Sequence, residues 1–235
     1  MLAIIVPFRG KFGSERHAQL NVFIAHITSF LIKSTVIFRI FVINESSEQT
    51  RLFNRGVLLN IGYVIARSSG FKHVVFHDVD LIPSIELSYC YQRQEKAPVH
   101  IARLWGRYSQ NKYYVGGITL WDVFEFEKIN GFPNNFWGWG GEDDEMMLRC
   151  ISIYGKNFLM SMPTCKGAII VDLENKDLNE KLASLRNSSQ KCTNKWELLK
   201  EHKRTWRHNG LSNLKYVVID KLNLGRFAQM NTVKF

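Results

Sequence analysis

The amino-acid sequence predicts an α/β fold, with a mostly parallel central sheet flanked by helices. Three short apolar runs, Ala3–Val6, Ile37–Ile43 and Val74–Phe76, have the length and composition of buried strands. Two longer segments with apolar residues at helical spacing separate these runs. This alternation is typical of βαβ units, in which a helix connects two parallel strands. At 235 residues the chain fits one large domain or one domain with an appendage.

Composition narrows the class of ligand. The formal net charge of +10 favours an anionic partner, which would be a nucleotide, a nucleic acid or a membrane surface. No interleaving of basic and aromatic residues typical of nucleic-acid binding accompanies the charge. We therefore expect a nucleotide and no nucleic acid, while the basic surface also allows peripheral contact with a membrane.

The chain is expected to be soluble and cytoplasmic. Its longest apolar stretch, Leu20 to Ile43, is interrupted by His26, Lys33 and Arg39, so it predicts a helix and a strand and not a membrane span. The first residues have the pattern of a strand and lack that of a secretion signal. The four cysteines show no metal-binding spacing, so reduced structural thiols are expected, with a disulfide left open.

Two amphipathic helices connect the predicted strands. The first has Leu20 and Ile27 at helical spacing and ends near Ile32. The second starts around Asn54 and contains Gly62. A glycine inside a helix costs about 1 kcal/mol relative to alanine, so its presence predicts close packing at that position.

The first strand leads into a candidate ligand contact. Pro7, Phe8 and Arg9 follow it, and open α/β sheets bind ligands at the carboxyl ends of their strands. Arg9 is therefore a candidate contact for a phosphate or a uracil. An ordinary surface arginine is the alternative.

The third strand ends in Asp78-Val79-Asp80, a second candidate site. Two acids one residue apart at the end of a buried strand can reach one divalent cation, and carboxylate oxygens suit Mg²⁺ or Mn²⁺. Such a cation would neutralise a departing diphosphate. The alternative is a solvated turn, because this short pattern is common by chance.

The rest of the chain predicts further elements around these sites. Up to the acidic stretch, they are a strand at Val99–Ala102, a strand approached through Gly116 and Gly117 and reaching Trp121, a helix over Trp121–Ile129 and a turn at Asn130–Pro133. After it come edge strands at Asn157–Met160 and Ala168–Val171, a charged helical segment over Lys176–His208 and a last strand within Gly210–Val218. The apolar side of the helical segment includes Leu178, Leu182 and Leu185.

The stretch from Phe136 to Glu145 carries the strongest chemical signal. Four adjacent acids follow two Trp-Gly pairs and a third glycine. Adjacent carboxylates repel one another, so they indicate a solvated, metal-bound or functional segment. Acids in a first helical turn are also favoured by the helix dipole, but this does not explain the tryptophans.

These motifs together resemble the β-1,4-galactosyltransferase family. They are Pro7-Phe8-Arg9, Phe53-Asn54-Arg55 with Leu58 to Gly62, Phe76 to Pro83, Val115-Gly116-Gly117, Asn130 to Glu145, and Gly210 to Leu214. His77 and the Tyr113 to Gly117 segment most resemble the xylosylprotein branch. The resemblance implies a single GT-A catalytic domain, with a nucleotide-binding half (1–83) and an acceptor-binding half (84–235). It also implies a UDP-sugar donor, Mn²⁺ (or Mg²⁺) and inversion at the anomeric carbon.

The resemblance also implies roles for individual residues. The donor would be bound by Pro7, Phe8, Arg9, Phe53, Arg55, Asp78, Val79, Asp80, Tyr114, Gly117 and Trp139. The acceptor would be bound by Tyr114, Trp139, Gly141, Glu142, Asp143 and Asp144. Asp143 would be the catalytic base, Tyr114 would limit space for an N-acetylated donor, and Trp139 would lie on a loop that closes over the donor.

The metal site departs from the family pattern. The family completes it with one or two histidines after the acidic helix, where this chain has Asp172 and Glu174. We expect Asp80, Asp172 and Glu174 to form an all-oxygen site, with His208 as an alternative ligand. Because the animal members are membrane-anchored and this sequence shows no anchor, we expect a bacterial or viral enzyme, in the host cytoplasm if viral.

The sequence therefore predicts a metal-dependent inverting glycosyltransferase. It would move galactose from UDP-galactose to a hydroxyl of a xylose- or GlcNAc-like acceptor, forming a β-linkage. The alternatives are another donor such as UDP-glucose or UDP-GlcNAc, a glycosidase with paired carboxylates, or a sugar-binding pseudoenzyme.

Overall fold

A computed structural model describes residues 1–11, 13–34, 36–46, 51–92, 96–177, 179–180, 183–184 and 188–235. Leu178, Leu182 and Leu185, expected on the apolar side of a helix, lie outside these ranges. In the described residues, no helix is long and apolar enough to cross a membrane, and no disulfide joins two of the four cysteines.

The described strands form one seven-stranded sheet and one two-stranded sheet. In chain order they are β1 (Leu2–Phe8), β2 (Phe38–Glu45), β3 (His73–His77), β4 (Leu81–Pro83), β5 (Val99–His100), β6 (Ile118–Asp122), β7 (Ile170–Asp172), β8 (Val217–Asn223) and β9 (Ala228–Lys234). The large sheet has the order β5-β6-β3-β1-β2-β9-β8, and β4 pairs with β7. Strands β3, β1, β2 and β9 are mutually parallel, whereas β6 and β8 run antiparallel to their neighbours. The predicted α/β class with a mostly parallel central sheet is confirmed.

Helices cover both faces of the large sheet. They are α1 (Glu15–Ile32), α2 (Arg55–Ser68), α3 (Ser88–Gln92), α4 (Gly106–Ser109), α5 (Val123–Lys128), α6 (Glu142–Tyr154) and two short helices, Lys195–Lys200 and His202–Thr205. The Ser14 hydroxyl caps α1 by accepting from the His17 amide, and the Asn54 side chain caps α2 by accepting from the Val57 amide. These caps fix where both helices begin.

The apolar core has two layers, one on each face of the sheet. Alternate residues of β1 divide between them: Ile4 packs in the α1 layer and Ile5 in the α2 layer. Gly62 confirms the predicted close packing, because a Cβ there would lie 2.3 Å from Ile5 Cγ2 and 2.9 Å from Ile43 Cγ1. The glycine therefore lets α2 approach the sheet.

The helix predicted over Trp121–Ile129 begins later than expected. Trp121 is a fully buried residue of β6 that pairs with Val74, and α5 starts only at Val123. Asp122 ends the strand and caps the helix by accepting from the Phe124 amide at 2.8 Å. A cap residue at this position explains the switch from strand to helix.

Two predicted strands are wrong or shorter than expected. The strand predicted at Val99–Ala102 covers only Val99–His100, because the chain then turns through a 3₁₀ helix at Ile101–Leu104. The predicted edge strand Asn157–Met160 is absent from the described structure, where the next residue, Ser161, makes only an isolated bridge with Val99. Short apolar runs do not by themselves distinguish strand from loop.

The C-terminal part of the chain differs most from the prediction. Residues 211–213 form a 3₁₀ turn, and the predicted last strand is β8, shifted to Val217–Asn223. Strand β9, which lies between β2 and β8, was not predicted. In the predicted helical segment 176–208, the elements whose bounds are described are the helices Lys195–Lys200 and His202–Thr205 and the 3₁₀ turn Trp206–His208.

Candidate active site

Arg55 lies at the centre of a group of carboxylates brought together by β3, α2 and α6. It is the first residue of α2, and its Nε donates to Asp78 Oδ1 at 2.9 Å. Its Nη1 donates to Asp143 Oδ1 at 3.0 Å and lies 3.6 Å from Glu142 Oε1. One guanidinium therefore joins the acid after β3 to the first acids of α6.

Glycines allow the acidic helix to start at this place. Gly138, Gly140 and Gly141 have φ values of 88°, 101° and 106°, in the region that other L-residues rarely adopt. A Cβ on Gly141 would lie 2.4 Å from the ring of Phe136. The chain then enters α6 with Glu142 and Asp143 in its first turn, where the helix dipole favours negative charge.

Burial makes these two carboxylates more basic than free ones. Burial raises the pKa of Glu142 to about 8; the charge of Asp143 adds to the shift and Arg55 opposes it. Burial also raises the pKa of Asp143 above its ordinary value, while Arg55 lowers it. The second oxygen of Glu142, Oε2, is buried and has no hydrogen-bond partner among the described residues. Both acids are therefore suited to proton transfer or to binding a hydroxyl.

Tyr114 and Asp143 meet at Gly116. A Cβ on Gly116 would lie 2.2 Å from the Tyr114 hydroxyl and 2.4 Å from Asp143 Oδ2. Burial, together with the charge of Asp143, holds the pKa of Tyr114 well above its ordinary value, so its hydroxyl stays protonated. Gly117 has a φ of 85°, and its carbonyl accepts from the Asp78 amide at 3.0 Å. The two glycines thus allow the strand entry to approach both acids.

Trp139 lies on the glycine-rich loop, and half of its surface is exposed. Its amide donates to the Gln190 carbonyl at 2.6 Å, and its carbonyl accepts from the Cys192 amide at 3.1 Å. Asp144, which is more exposed than Asp143, pairs with Lys195 Nζ at 2.6 Å. The segment around residues 190–195 therefore borders the predicted acceptor side.

The predicted nucleotide contacts lie at the end of β1. Arg9 Nε donates to the buried Glu45 Oε2 at 2.9 Å, and its guanidinium lies 5.3 Å from the centroid of the Phe53 ring. These contacts position Arg9 beside Phe53. Phe8 and Val79 are almost fully buried in the core, and Pro7 is also buried, so these three offer mainly backbone atoms to a ligand.

Among the residues that the structure describes, Asp80, Asp172 and Glu174 form a cluster that could hold a metal ion. Their ligand atoms lie within 4.8 Å of one another. The β4–β7 pairing places Leu81 opposite Asp172, and the Leu173 amide donates to the Asp80 carbonyl at 2.8 Å. The Glu174 amide donates to Asp172 Oδ1 at 2.9 Å. The fold therefore brings the three predicted ligands together.

His208 takes no part in this cluster. It is exposed within a 3₁₀ turn at Trp206–His208, whereas the grouped residues are buried or half-buried. The alternative ligand considered from the sequence is therefore not supported by the geometry.

Two arginines that sequence reasoning missed contact the cluster. Arg107 Nη1 lies 2.7 Å from Asp172 Oδ2, and Arg16 Nη2 lies 2.9 Å from Glu174 Oε1. Arg16 Nη1 is also 3.7 Å from Asp80 Oδ2. Neither arginine lies in a motif, so only the tertiary structure shows these contacts.

Two family models match the chain. One family model, described as the N-terminal region of glycosyl transferase group 7, matches residues 1–92. A second, described as the N-terminal domain of galactosyltransferase, matches residues 96–169. Together they cover most of the chain, including Asp78, Asp80 and Asp143.

Similar curated proteins include human beta-1,4-galactosyltransferase 4, which is 32% identical over 224 residues, 93% of this chain and 59% of that protein. Drosophila melanogaster beta-1,4-galactosyltransferase 7 is 33% identical over 229 residues, 93% of this chain and 63% of that protein. The chain thus spans less than two thirds of the length of these relatives.

Solved structures of a β-1,4-galactosyltransferase are also similar to this chain. The catalytic domain of Drosophila beta1,4-galactosyltransferase 7 in complex with xylobiose superposes with a TM-score of 0.75 and 29% identity, covering 99% of this chain and 92% of that one. A mutant of the same enzyme in complex with manganese, UDP-Gal and xylobiose has a TM-score of 0.74 and 29% identity, with the same coverage. From its motifs, its fold and these similarities, the chain belongs to the β-1,4-galactosyltransferase family, glycosyltransferase group 7.

Proposed function

We propose that this protein is a metal-dependent inverting glycosyltransferase that moves galactose from UDP-galactose to a hydroxyl of a sugar acceptor. The observation that carries the proposal is the junction at Arg55, where Asp78 after β3 meets Asp143 at the start of α6. A donor-side acid and a buried, basic carboxylate are thus within reach of one guanidinium. Family membership supports the same reaction class.

The carboxylates of Asp80, Asp172 and Glu174 suit a hard divalent cation. Three carboxylates supply only oxygen ligands, which Mn²⁺ and Mg²⁺ both accept. The similar Drosophila enzyme was solved with manganese and UDP-Gal, which favours Mn²⁺. When bound, the ion would supply positive charge to the leaving diphosphate.

Asp143 is proposed as the general base. Its Oδ1 accepts from Arg55, while its Oδ2 faces Gly116 and the Tyr114 hydroxyl. The contact with Arg55 holds the carboxylate in position, and burial raises its pKa, so it accepts a proton more readily. The acceptor hydroxyl would lose its proton to Asp143 as it attacks the anomeric carbon from the face opposite UDP.

The surrounding residues would orient the two sugars. Glu142 Oε2, buried without a partner in the described structure, can accept from a sugar hydroxyl, and the exposed Asp144 can do the same. Half-exposed Trp139 offers an aromatic face for a sugar ring. Closure of its loop would exclude water, which would otherwise hydrolyse the donor.

The finer specificity is also part of the proposal. Tyr114, which packs 4.5 Å from Tyr108 between ring centroids, would line the donor sugar pocket and favour galactose over an N-acetylated sugar by limiting space. Xylobiose in the similar Drosophila structures supports a xylose-like acceptor, with a GlcNAc-like acceptor as the next to test. The cytoplasmic location and the bacterial or viral origin stay predictions.

The test is UDP release from a panel of UDP-sugars, with β-xyloside or β-GlcNAc acceptors, with Mn²⁺, with Mg²⁺ and after chelation. We expect acceptor-stimulated release from UDP-galactose that stops when the metal is removed. Acceptor-stimulated release from a different UDP-sugar would overturn the donor assignment. Binding of UDP without turnover for every pair would contradict transferase activity.

A further inference from the structure

Two arginines balance the charge of the carboxylate cluster, and they do so in different ways. Arg107 has a side chain only 8% exposed, donates to Asp172 and to the Lys176 carbonyl, and stacks 4.0 Å over the Trp105 ring. Arg16 has a side chain 38% exposed and is held by Glu174 and Asp80. The first is a fixed counter-charge, whereas the second has room to change partners.

The charge balance shows why these arginines matter for a diphosphate. Three carboxylates and one divalent cation leave a net charge of minus one, which repels phosphate oxygens. Arg107 brings the site to neutral and Arg16 makes it positive. Charges a few ångströms apart in a partly buried site interact strongly enough for the sign of this balance to affect affinity for a diphosphate.

Arg16 is also placed next to the predicted nucleotide contacts. It lies in the first turn of α1, directly after the loop that follows β1. A Cβ on Gly10 would lie 3.5 Å from the Arg16 Cβ, so the start of α1 packs on the residue after Arg9. The guanidinium thus lies between the loop after β1 and the carboxylate cluster.

We propose that Arg16 is a diphosphate-binding residue that exchanges partners during donor binding. In the structure, its guanidinium pairs with Glu174 and Asp80. When these carboxylates bind the cation, Arg16 turns to the phosphate oxygens of the UDP moiety. A guanidinium binds phosphate through paired, charge-assisted hydrogen bonds. This inference rests on the proposed function, because it needs a nucleotide diphosphate at this site.

The exchange has an unusual consequence that can be measured. Arg16 competes with the metal for the same carboxylates but attracts the diphosphate. Removing it should therefore strengthen metal binding and weaken nucleotide binding. A residue with a purely structural role would not shift the two affinities in opposite directions.

The experiment is calorimetry on the full chain, titrating MnCl₂ alone and then UDP at saturating Mn²⁺. Wild type is compared with Arg16→Met and with Arg67→Met, a control whose side chain is 39% exposed and paired with Glu127 at 3.2 Å. We expect Arg16→Met to bind Mn²⁺ about threefold more tightly and UDP about tenfold more weakly. Arg67→Met should change neither affinity.

Arg16→Lys provides a second measurement. It keeps the positive charge but lacks the planar guanidinium with its paired N–H donors. The UDP affinity of this variant should therefore lie between those of wild type and Arg16→Met. Thermal melts of each variant show whether the fold is kept. Unchanged UDP affinity in Arg16→Met, or shifts of both affinities in the same direction, would overturn the inference.

The same titrations separate this inference from the proposed function. If wild type binds no UDP in the presence of Mn²⁺, the proposed function and the role of Arg16 both fail. If wild type binds both ligands and Arg16→Met lacks the opposed shifts, only the role of Arg16 fails.

Discussion

Asp143 and Glu145 lie two residues apart in the first turn of α6, yet their surroundings are opposite. Asp143 shares Arg55 with Asp78 and turns its other oxygen toward Tyr114. Glu145 faces the interior and accepts from Arg149 at 3.2 Å and from His202 at 2.9 Å. Acids only two residues apart can therefore have different partners, because helical geometry points them at different neighbours.

The Glu145 cluster is a connection between segments. Arg149, which is fully buried, donates to the carbonyls of Asn130, Gly131 and Asn209. It thereby ties α6 to the turn before the Trp-Gly loop and to the segment after the short helices. In the proposed mechanism the Asp143 cluster carries the chemistry, and the Glu145 cluster would hold the elements that position it.

The largest expected effect comes from changing Asp143, the acid that contacts Arg55. Asp143→Asn should keep UDP binding and lower turnover by about a thousandfold or more, because the base is lost while the shape of the side chain stays. Steady-state transfer and UDP calorimetry on the same preparation check this. Turnover close to wild type would remove Asp143 from the role of base.

Arg149→Met tests the other cluster. The change removes the buried guanidinium that Glu145 and three carbonyls share, although Glu145 keeps its contact with His202. We therefore expect the free energy of unfolding to fall by about 3–5 kcal/mol. Chemical denaturation measures this. Arg204→Met is the control, because Arg204 is 80% exposed in its pair with Glu201, and its loss should cost less than about 1 kcal/mol. Equal decreases in the free energy of unfolding of the two variants would contradict a connecting role for Arg149.

Gly116→Ala should disturb the Asp143 side of the comparison. The added Cβ would collide with the Tyr114 hydroxyl and Asp143 Oδ2, so we expect turnover to fall about ten- to a hundredfold. Gly106→Ala is a matched control, since a Cβ there has no neighbour within 4 Å among the described residues. If both variants keep full activity, the close contact at Gly116 does not matter for catalysis.

The smallest effect concerns pH and stability. Because burial raises the pKa of Glu142 from an ordinary 4.5 to about 8, the fold favours its protonated form. This stabilisation is fully present below pH 4.5 and is lost as the pH rises toward about 8. Unfolding of wild type and Glu142→Gln across this range should show a smaller pH slope in the variant. Identical pH slopes in wild type and variant would contradict the raised pKa of Glu142.

The sequence predicted the central fold well because its signal is local. The elements β1, α1, β2, α2 and β3 come from continuous apolar runs and regular helical spacing, and all five are confirmed. Strand β9 was missed because its sequence includes polar residues such as Gln229 and Asn231, and Asn231 is fully buried. Polar residues that are buried inside a sheet weaken the pattern on which such predictions depend.

The site was predictable in its acids and not in its arginines. Asp78, Asp80 and the acids of α6 are recognisable from motifs, and the fold brings them to one end of the sheet. The pairing of Arg16 and Arg107 with the metal cluster depends on contacts between distant elements. The sequence also could not show that Glu145 faces inward, because the phase of a helix relative to its neighbours is a tertiary property.

The position of β9 has a consequence for how the protein folds. Ile40 pairs with Ala228, and Glu45 with Val233, so the middle of the sheet joins residues far apart in the sequence. Contacts of such long sequence separation slow folding, because a large loop must close before they form. During synthesis, β2 would emerge with one edge open until β9 is made. Until then, the unpaired edge of β2 is a place where nascent chains are prone to aggregate.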